Sequence, residues 1–160
     1  MSILFRTFLF STIALTVIMA GIPYFLHRLG ILSLTVYHWT AALPGGLTCF
    51  LGALIYLICS KDFAQFGQGT PAVWNPPIRF VTRGLYRLVR NPMYLGIVLI
   101  ISGEACFFQS TLLLLLAIFV WLLFHTFVYF YEEPTLRRKF GPSYQEYCAR
   151  VSRWLPRWPE

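Results

Sequence analysis

The feature that most constrains this chain is one apolar block of 40 residues, from Pro92 to Tyr131. An α-helix rises about 1.5 Å per residue, so this block is long enough for two crossings of a hydrocarbon core of about 30 Å. Gln109-Ser110 stands at its midpoint, which predicts two spans, 92–109 and 111–131, joined by a tight turn. Asn91 and Pro92 suit a helix N-cap and first helical position, so the first of these spans is predicted to begin there.

Two further apolar runs, at 3–26 and 39–59, predict two more spans. The second contains Pro44-Gly45-Gly46, which predicts a kink or a close helix contact. The chain is 58% hydrophobic and only 12% charged, whereas soluble domains are about 25% charged. This composition excludes an ordinary soluble enzyme, a disordered protein and a nucleic-acid-binding domain. We expect an all-α polytopic membrane protein with about four transmembrane helices, forming a single domain over residues 1–160.

The segment after the last span predicts a short amphipathic helix. Its apolar residues recur at positions i, i+3, i+4 and i+7, which is the spacing of one helix face. These residues are Tyr144, Tyr147, Cys148 and Val151. We expect this C-terminal helix to fold back on the membrane-proximal surface.

The basic residues predict which side of the membrane each segment faces. Eleven of the 13 Lys and Arg residues lie in two segments, 60–91 and 132–160, which a two-span hairpin places on the same side. By the positive-inside rule, both segments and both termini are predicted to be cytoplasmic. The chain is therefore expected to be a multi-pass integral membrane protein, in the cytoplasmic membrane if it is bacterial.

The candidate chemistry centres on Glu132-Glu133, which follow several aromatic residues at the end of the last span. Such a mixture suits a ligand with positive charge, through ion pairing and cation–π attraction. The alternative is a solvated helix end whose acids compensate Arg137 and Arg138. Glu104, inside the third span, is expected to face the bundle interior or to pair. The three histidines have no metal-ligand spacing, and no metal is expected.

Four motifs in order carry a family resemblance. They are Phe80-Val81-Thr82-Arg83-Gly84-Leu85-Tyr86, Arg90-Asn91-Pro92-Met93-Tyr94-Leu95-Gly96, Glu132-Glu133-Pro134-Thr135-Leu136, and Phe140-Gly141 with Tyr144, Tyr147, Val151, Arg153 and Pro156. Together they resemble the superfamily of isoprenylcysteine carboxyl methyltransferases and phospholipid methyltransferases, which are integral membrane enzymes. The resemblance covers roughly Gly67 to Pro156.

The resemblance implies S-adenosylmethionine as cofactor, released as S-adenosylhomocysteine. It implies that the cofactor is held by Ile78, Arg79, Phe80, Val81, Tyr86, Asn91, Pro92, Met93, Tyr94 and Glu132, with Glu132 meeting its amino group. Two positions depart from the pattern. Asn91 replaces a more common histidine, and Val128 replaces an arginine implicated in holding a prenylcysteine carboxylate. No catalytic residue is assigned.

The expected function is methyl transfer from S-adenosylmethionine to a lipophilic or membrane-embedded carboxylate, amine or thiol at the cytoplasmic membrane face. The enzyme would be a membrane methyltransferase similar to the isoprenylcysteine O-methyltransferases, with membrane lipids and a lipophilic acceptor as partners and no nucleic acid. One alternative is a non-enzymatic membrane partner or carrier on the same scaffold. Another is a membrane oxidoreductase similar to the sterol reductases, for which about ten spans and a reduced nicotinamide dinucleotide would be expected.

Overall fold

The computed structural model describes residues 3–32, 38–67 and 81–156. Seven α-helices lie in these ranges: α1 (Ile3–Thr16), α2 (Ile22–Arg28), α3 (Trp39–Asp62), α4 (Pro92–Phe107), α5 (Thr111–Phe127), α6 (Glu133–Phe140) and α7 (Pro142–Arg150). Three π-helical turns, Val17–Gly21, Phe63–Gly67 and Val128–Glu132, join α1 to α2, extend α3 and join α5 to α6. The described ranges contain no strand, so the predicted all-α class is confirmed.

Three continuous helical rods are long and apolar enough to cross a membrane: Leu4–Arg28, Trp39–Gly67 and Thr111–Phe140. The remaining predicted span corresponds to α4, which has 16 residues and so a length of about 24 Å. This helix is shorter than a typical crossing. It packs between α3 and α5, and eight of its residues are buried. The predicted all-helical membrane fold is confirmed, with three helices that are long and apolar enough to span a membrane and one shorter apolar helix among the described residues.

Two of the π turns lie next to a proline. Pro23 follows the turn that joins α1 to α2, and Pro134 follows the turn that joins α5 to α6. A proline inside a helix has no N–H for the carbonyl four residues earlier, and its ring crowds that carbonyl. A local widening of the helix relieves this conflict, which explains why each rod continues through its proline. The second of these turns ends at Glu132, so the helix widens immediately before the pair Glu132-Glu133.

The centre of the fold is a close contact between α3 and α4 through glycines. A Cβ atom on Gly45 would lie 2.5 Å from the backbone nitrogen of Phe107, and one on Gly103 would lie 2.6 Å from the nitrogen of Cys49. Gly52 and Gly96 face each other in the same way, about two helical turns away. Small residues allow helix backbones to approach closely. The close contact predicted from Pro44-Gly45-Gly46 is therefore confirmed at Gly45.

The hairpin between α4 and α5 turns where the sequence predicts it. Gln109 adopts a φ of 50°, which few non-glycine residues tolerate. Ser110 then caps α5, accepting a hydrogen bond from the backbone nitrogen of Leu113 at 3.3 Å. At the other end of α4, the helix begins at Pro92 as predicted, with Asn91 in the N-cap position. The Asn91 side chain makes no capping hydrogen bond, and instead its Nδ2 donates to the carbonyl oxygen of Arg153 at 3.2 Å.

The C-terminal segment folds back on the bundle. In α7 the side chain of Tyr144 is buried, as is Val151 just after the helix, which confirms the predicted apolar face. The next residue, Ser152, forms a parallel β-bridge with Val89, and its carbonyl accepts a hydrogen bond from the nitrogen of Arg90 at 2.8 Å. Trp154 then donates from its Nε1 to Nδ1 of His125 at 3.0 Å. These contacts join the segment after α7 to the residues just before α4 and to α5.

Candidate functional site

The adjacent acids Glu132 and Glu133 point to different surroundings. Glu132 is the last residue of the π turn and Glu133 is the first residue of α6. Neighbouring residues on a helix project about 100° apart, so one rod can present the two acids to two neighbours. Glu133 is buried, with 4% of its surface exposed, and Glu132 is half-buried. The pair therefore does not act as one anionic group.

Glu133 is a buried carboxylate at the centre of an ionic network. Arg153 binds it with both ends of its guanidinium group, Nε to Oε1 at 2.7 Å and Nη2 to Oε2 at 2.9 Å. Arg90 lies 3.2 Å away and Arg137, one turn along α6, 3.7 Å away. The hydrogen bonds to Glu133 raise the pKa of Arg153 above its ordinary value. The alternative of a solvated helix end is therefore wrong for Glu133, which is buried, while its predicted pairing with Arg137 is confirmed.

Glu132 instead contacts the start of α4. The phenol of Tyr94 donates a hydrogen bond to its Oε2 at 3.0 Å. The ring of Tyr94 is stacked on Phe124 of α5, with ring centroids 4.5 Å apart, so the phenol is fixed in direction. This pair joins the first turn of α4 to the end of the α5 rod. The second carboxylate oxygen of Glu132, Oε1, makes no hydrogen bond to any residue described in the structure.

Beside Glu132 lies a small cavity of about 60 Å³. Its wall combines one carboxylate, one guanidinium group, one amide and several aromatic and aliphatic side chains. The lining residues are Phe63, Val81, Tyr86, Arg90, Asn91, Glu132, Leu136, Tyr144 and Tyr147. They come from the end of α3, the segment 81–91, the α5–α6 rod and α7. Four parts of the chain that are distant in sequence therefore meet at this cavity.

The tyrosines of the cavity wall are held as neutral phenols. Burial raises the pKa of Tyr86 well above its ordinary value, and burial also raises the pKa of Tyr147. The hydroxyl of Tyr147 donates to the backbone carbonyl of Tyr86 at 2.7 Å, which fixes α7 against the segment before α4. These groups can shape a site and donate hydrogen bonds, but they are poor bases at neutral pH.

The predicted cofactor-binding residues occupy three kinds of position. Val81, Tyr86, Asn91 and Glu132 line the cavity, and Tyr94 reaches it through its hydrogen bond to Glu132. Pro92 and Met93 are buried behind it, and Met93 belongs to a core cluster with Tyr56, Cys59, Val81 and Tyr86. Ile78, Arg79 and Phe80 lie outside the described residues. A role in cofactor binding stays a prediction for all ten.

Sequence reasoning did not assign five residues that line the cavity. These are Phe63, Arg90, Leu136, Tyr144 and Tyr147. Arg90, Leu136, Tyr144 and Tyr147 belong to the quoted motifs, so their recurrence beside the assigned residues was an available signal. Phe63 lies outside these motifs and carries no polar group. Only the packing of its helix reveals it.

Glu104 lies away from this cavity. It is 4% exposed, which confirms that it faces the bundle interior, and neither of its oxygens has a hydrogen-bond partner among the described residues. It is twelve residues beyond Pro92 on α4, a distance of about 18 Å along the helix. This separation removes Glu104 from the chemistry around Glu132.

Comparison with known families identifies the family of this chain. The family model for phospholipid methyltransferase matches residues 39–143, well over half of the chain. The chain belongs to the phospholipid methyltransferase family. The match includes α3, the hairpin of α4 and α5, Glu132 and Glu133. No curated protein and no solved structure matches the chain.

Family membership bears on both the location and the reaction type of the protein. Together with the apolar rods, it indicates an integral membrane protein with methyltransferase activity. It also agrees with the resemblance found from the four motifs, because the phospholipid methyltransferases are one branch of that superfamily. Methyltransferases of this family generally use S-adenosylmethionine.

Proposed function

We propose that this protein transfers the methyl group of S-adenosylmethionine to a lipophilic or membrane-embedded acceptor, next to Glu132. One observation carries the proposal. The two ends of the α4–α5 hairpin meet at a Glu132 carboxylate that is positioned by Tyr94 and lines a largely aromatic cavity. The family match supports the reaction type.

The residues present suit the charged groups of S-adenosylmethionine. The carboxylate of Glu132 suits the amino group of its methionine part, and Arg90 and Asn91 offer donors for the carboxylate of that part. The aromatic rings suit the sulfonium cation. The cavity of about 60 Å³ is smaller than typical ligand pockets of about 300 Å³ or more. The lining residues therefore represent part of the full site.

The chain's own groups would act mainly by binding and orientation. When bound, the sulfonium compound supplies an electrophilic methyl group for an in-line displacement. Tyr94 and Glu132 orient the donor, and the buried aromatic residues exclude water. A carboxylate or thiolate acceptor needs no base. Glu133 is held by three guanidinium groups, so it is a poor base for an amine acceptor.

The acceptor is proposed to enter from the lipid phase, and the site to lie at the cytoplasmic face. The lipid-side surface of α5 is apolar, with large exposed side chains such as Leu115, Phe119 and Leu123. The basic residues around Glu133 support the cytoplasmic side by the positive-inside rule. Val128, which stands where carboxyl methyltransferases carry arginine, is buried and apolar. A phospholipid acceptor therefore has more support than a prenylcysteine carboxylate.

Calorimetric binding of S-adenosylhomocysteine to the detergent-solubilised protein tests the proposal. We expect binding by the parent, and a loss of affinity of about tenfold to a hundredfold for Glu132→Gln, because a charge-assisted hydrogen bond contributes about 1.5–3 kcal/mol. Tyr94→Phe keeps the stacked ring but removes the hydroxyl, and should lose about threefold to tenfold. Glu146→Gln is the matched control, because Glu146 is an exposed acid on α7.

The same titration separates the competing functions. A non-enzymatic partner or carrier predicts no binding of S-adenosylhomocysteine by the parent. An oxidoreductase similar to the sterol reductases predicts binding of a reduced nicotinamide dinucleotide instead. Equal affinities for the parent, Glu132→Gln and Tyr94→Phe would show that this cavity is not the donor site. Radiolabelled methyl donor with total membrane lipid would then identify the acceptor.

A further inference from the structure

A second cavity lies between α1 and α3. It has a volume of about 190 Å³ and shares no lining residue with the cavity beside Glu132. Its polar wall is formed by Thr7 and Ser11 of α1 and by Ser60 and Lys61 of α3. Its apolar wall includes Leu4, Phe8 and Leu57, all of which are exposed on the outer surface of the bundle.

Three buried hydroxyl groups face this groove. Thr7, Ser11 and Ser60 are 4%, 2% and 2% exposed. Within the described ranges, the hydroxyl oxygen of Thr7 has no hydrogen-bond partner, and those of Ser11 and Ser60 have only the phenol of Tyr56 within reach. Buried hydroxyls in folded proteins are nearly always hydrogen-bonded. One unpaired hydroxyl and two that share a single phenol therefore leave hydrogen-bond donors for a ligand with acceptor atoms.

A cation stands at the rim of the same groove. Lys61 is exposed in the last turn of α3 and forms no ion pair with any residue that the structure describes. It lies two residues beyond the apolar run 39–59, which places its ammonium group at the level of lipid headgroups. From rim to wall, the groove thus presents a cation, hydroxyl donors and lipid-exposed hydrocarbon.

We propose that this groove binds one anionic phospholipid from the membrane. The phosphate would pair with Lys61 and accept hydrogen bonds from the hydroxyls of Thr7, Ser11 and Ser60, while an acyl chain lies along Phe8 and Leu57. A zwitterionic lipid fits less well, because its own cation would approach Lys61. The proposal is independent of the proposed function, since the groove is separate from the cavity beside Glu132.

Native mass spectrometry of the purified protein in detergent tests this proposal, with phosphatidylglycerol, phosphatidylcholine and inorganic phosphate as separate probes. We expect the parent to retain one phosphatidylglycerol in preference to phosphatidylcholine. Lys61→Gln should weaken this retention about tenfold, as expected for the loss of a charge-assisted contact. Ser60→Ala should weaken it about threefold. Arg28→Gln is the matched control, because it removes an exposed charge at the far end of the α1–α2 rod.

Several outcomes would overturn the proposal. Equal retention by the parent, Lys61→Gln and Ser60→Ala would show that the groove is not the site. An equal loss in Arg28→Gln would indicate non-specific attraction by net charge. Equal retention of both lipids would exclude selection of an anionic lipid, and displacement by inorganic phosphate would indicate a free-anion site. A thermal melt accompanies each variant, and if Lys61→Gln does not fold, Ser60→Ala decides the result.

Discussion

Glu132 and Glu133 show how two identical, adjacent side chains acquire different tasks. Glu133 binds Arg153 with two hydrogen bonds and has Arg90 and Arg137 nearby, whereas Glu132 accepts a hydrogen bond from Tyr94 and lines the cavity. A buried carboxylate among guanidinium groups contributes to holding elements together, and its removal leaves cations unpaired. A carboxylate beside a cavity is available to a ligand. Glu133 is therefore a structural residue and Glu132 a candidate binding residue.

This division predicts that the same substitution destabilises the fold at Glu133 but has little effect on stability at Glu132. Glu133→Gln should lower the free energy of unfolding by about 3–5 kcal/mol, because it removes the buried counter-ion of the half-buried Arg153 and Arg90. Glu132→Gln should leave stability within about 1 kcal/mol, since it can still accept from Tyr94. Thermal melts of both variants in detergent measure the difference. Equal melting temperatures would contradict the assignment of Glu133 to the ionic network.

Among the elements, the pair α3 and α4 determines where the site forms. The glycines at their contact allow the two backbones to approach closely. As a result, Asn91 and Tyr94 at the start of α4 lie near Phe63 at the end of the α3 rod. The π turn at Val128–Glu132 then presents Glu132 to the same point. Helix packing therefore assembles the cavity from residues that are far apart in sequence.

The glycine contact predicts a position-specific effect of added methyl groups. Gly103→Ala should destabilise the fold by about 1–3 kcal/mol, since its Cβ would meet the backbone of α3 and overpacked contacts cost about this much. Gly46→Ala is the matched control, because its Cβ would meet nothing within 4 Å. We expect Gly46→Ala to melt at or slightly above the parent temperature, given the higher helix propensity of alanine. Equal melting of the two variants would contradict the close contact between α3 and α4.

At the scale of the whole molecule, the basic residues and the candidate site lie together. Arg90, Arg137 and Arg153 surround Glu133, next to the cavity, while the hairpin tip at Gln109 lies at the other end of α4 and α5. A charged end and an apolar middle are the arrangement expected of a protein that enters a bilayer with its polar end at one interface.

This arrangement predicts that both chain ends face the cytoplasm. Fluorescent-protein fusions at either terminus should fluoresce when the protein is expressed in a bacterial inner membrane, and alkaline phosphatase fusions at the same ends should be inactive. A phosphatase fusion in the hairpin tip at Gln109-Ser110 should be active and serves as the matched control. Chain ends on opposite sides would contradict the prediction and would indicate an odd number of crossings, with the short helix α4 not crossing.

Local signals in the sequence explain which predictions held. The turn at Gln109-Ser110, the start of α4 at Pro92 and the close contact at Gly45 each depend on a few neighbouring residues. The cavity wall depends on contacts across the chain, and so Phe63 was not predicted. The Asn91 side chain also illustrates this limit, because an acceptor more than sixty residues away replaces the local capping interaction.

The sequence by itself determined the all-α class, the helical hairpin and the family, because hydrophobic length and ordered motifs are properties of the linear chain. Only the tertiary structure decided that Glu133 is enclosed by arginines while Glu132 faces a cavity. Both acids carry the same charge and stand side by side, so composition and spacing cannot distinguish them. The direction in which the π turn sends each side chain makes the difference, together with the neighbours that packing supplies.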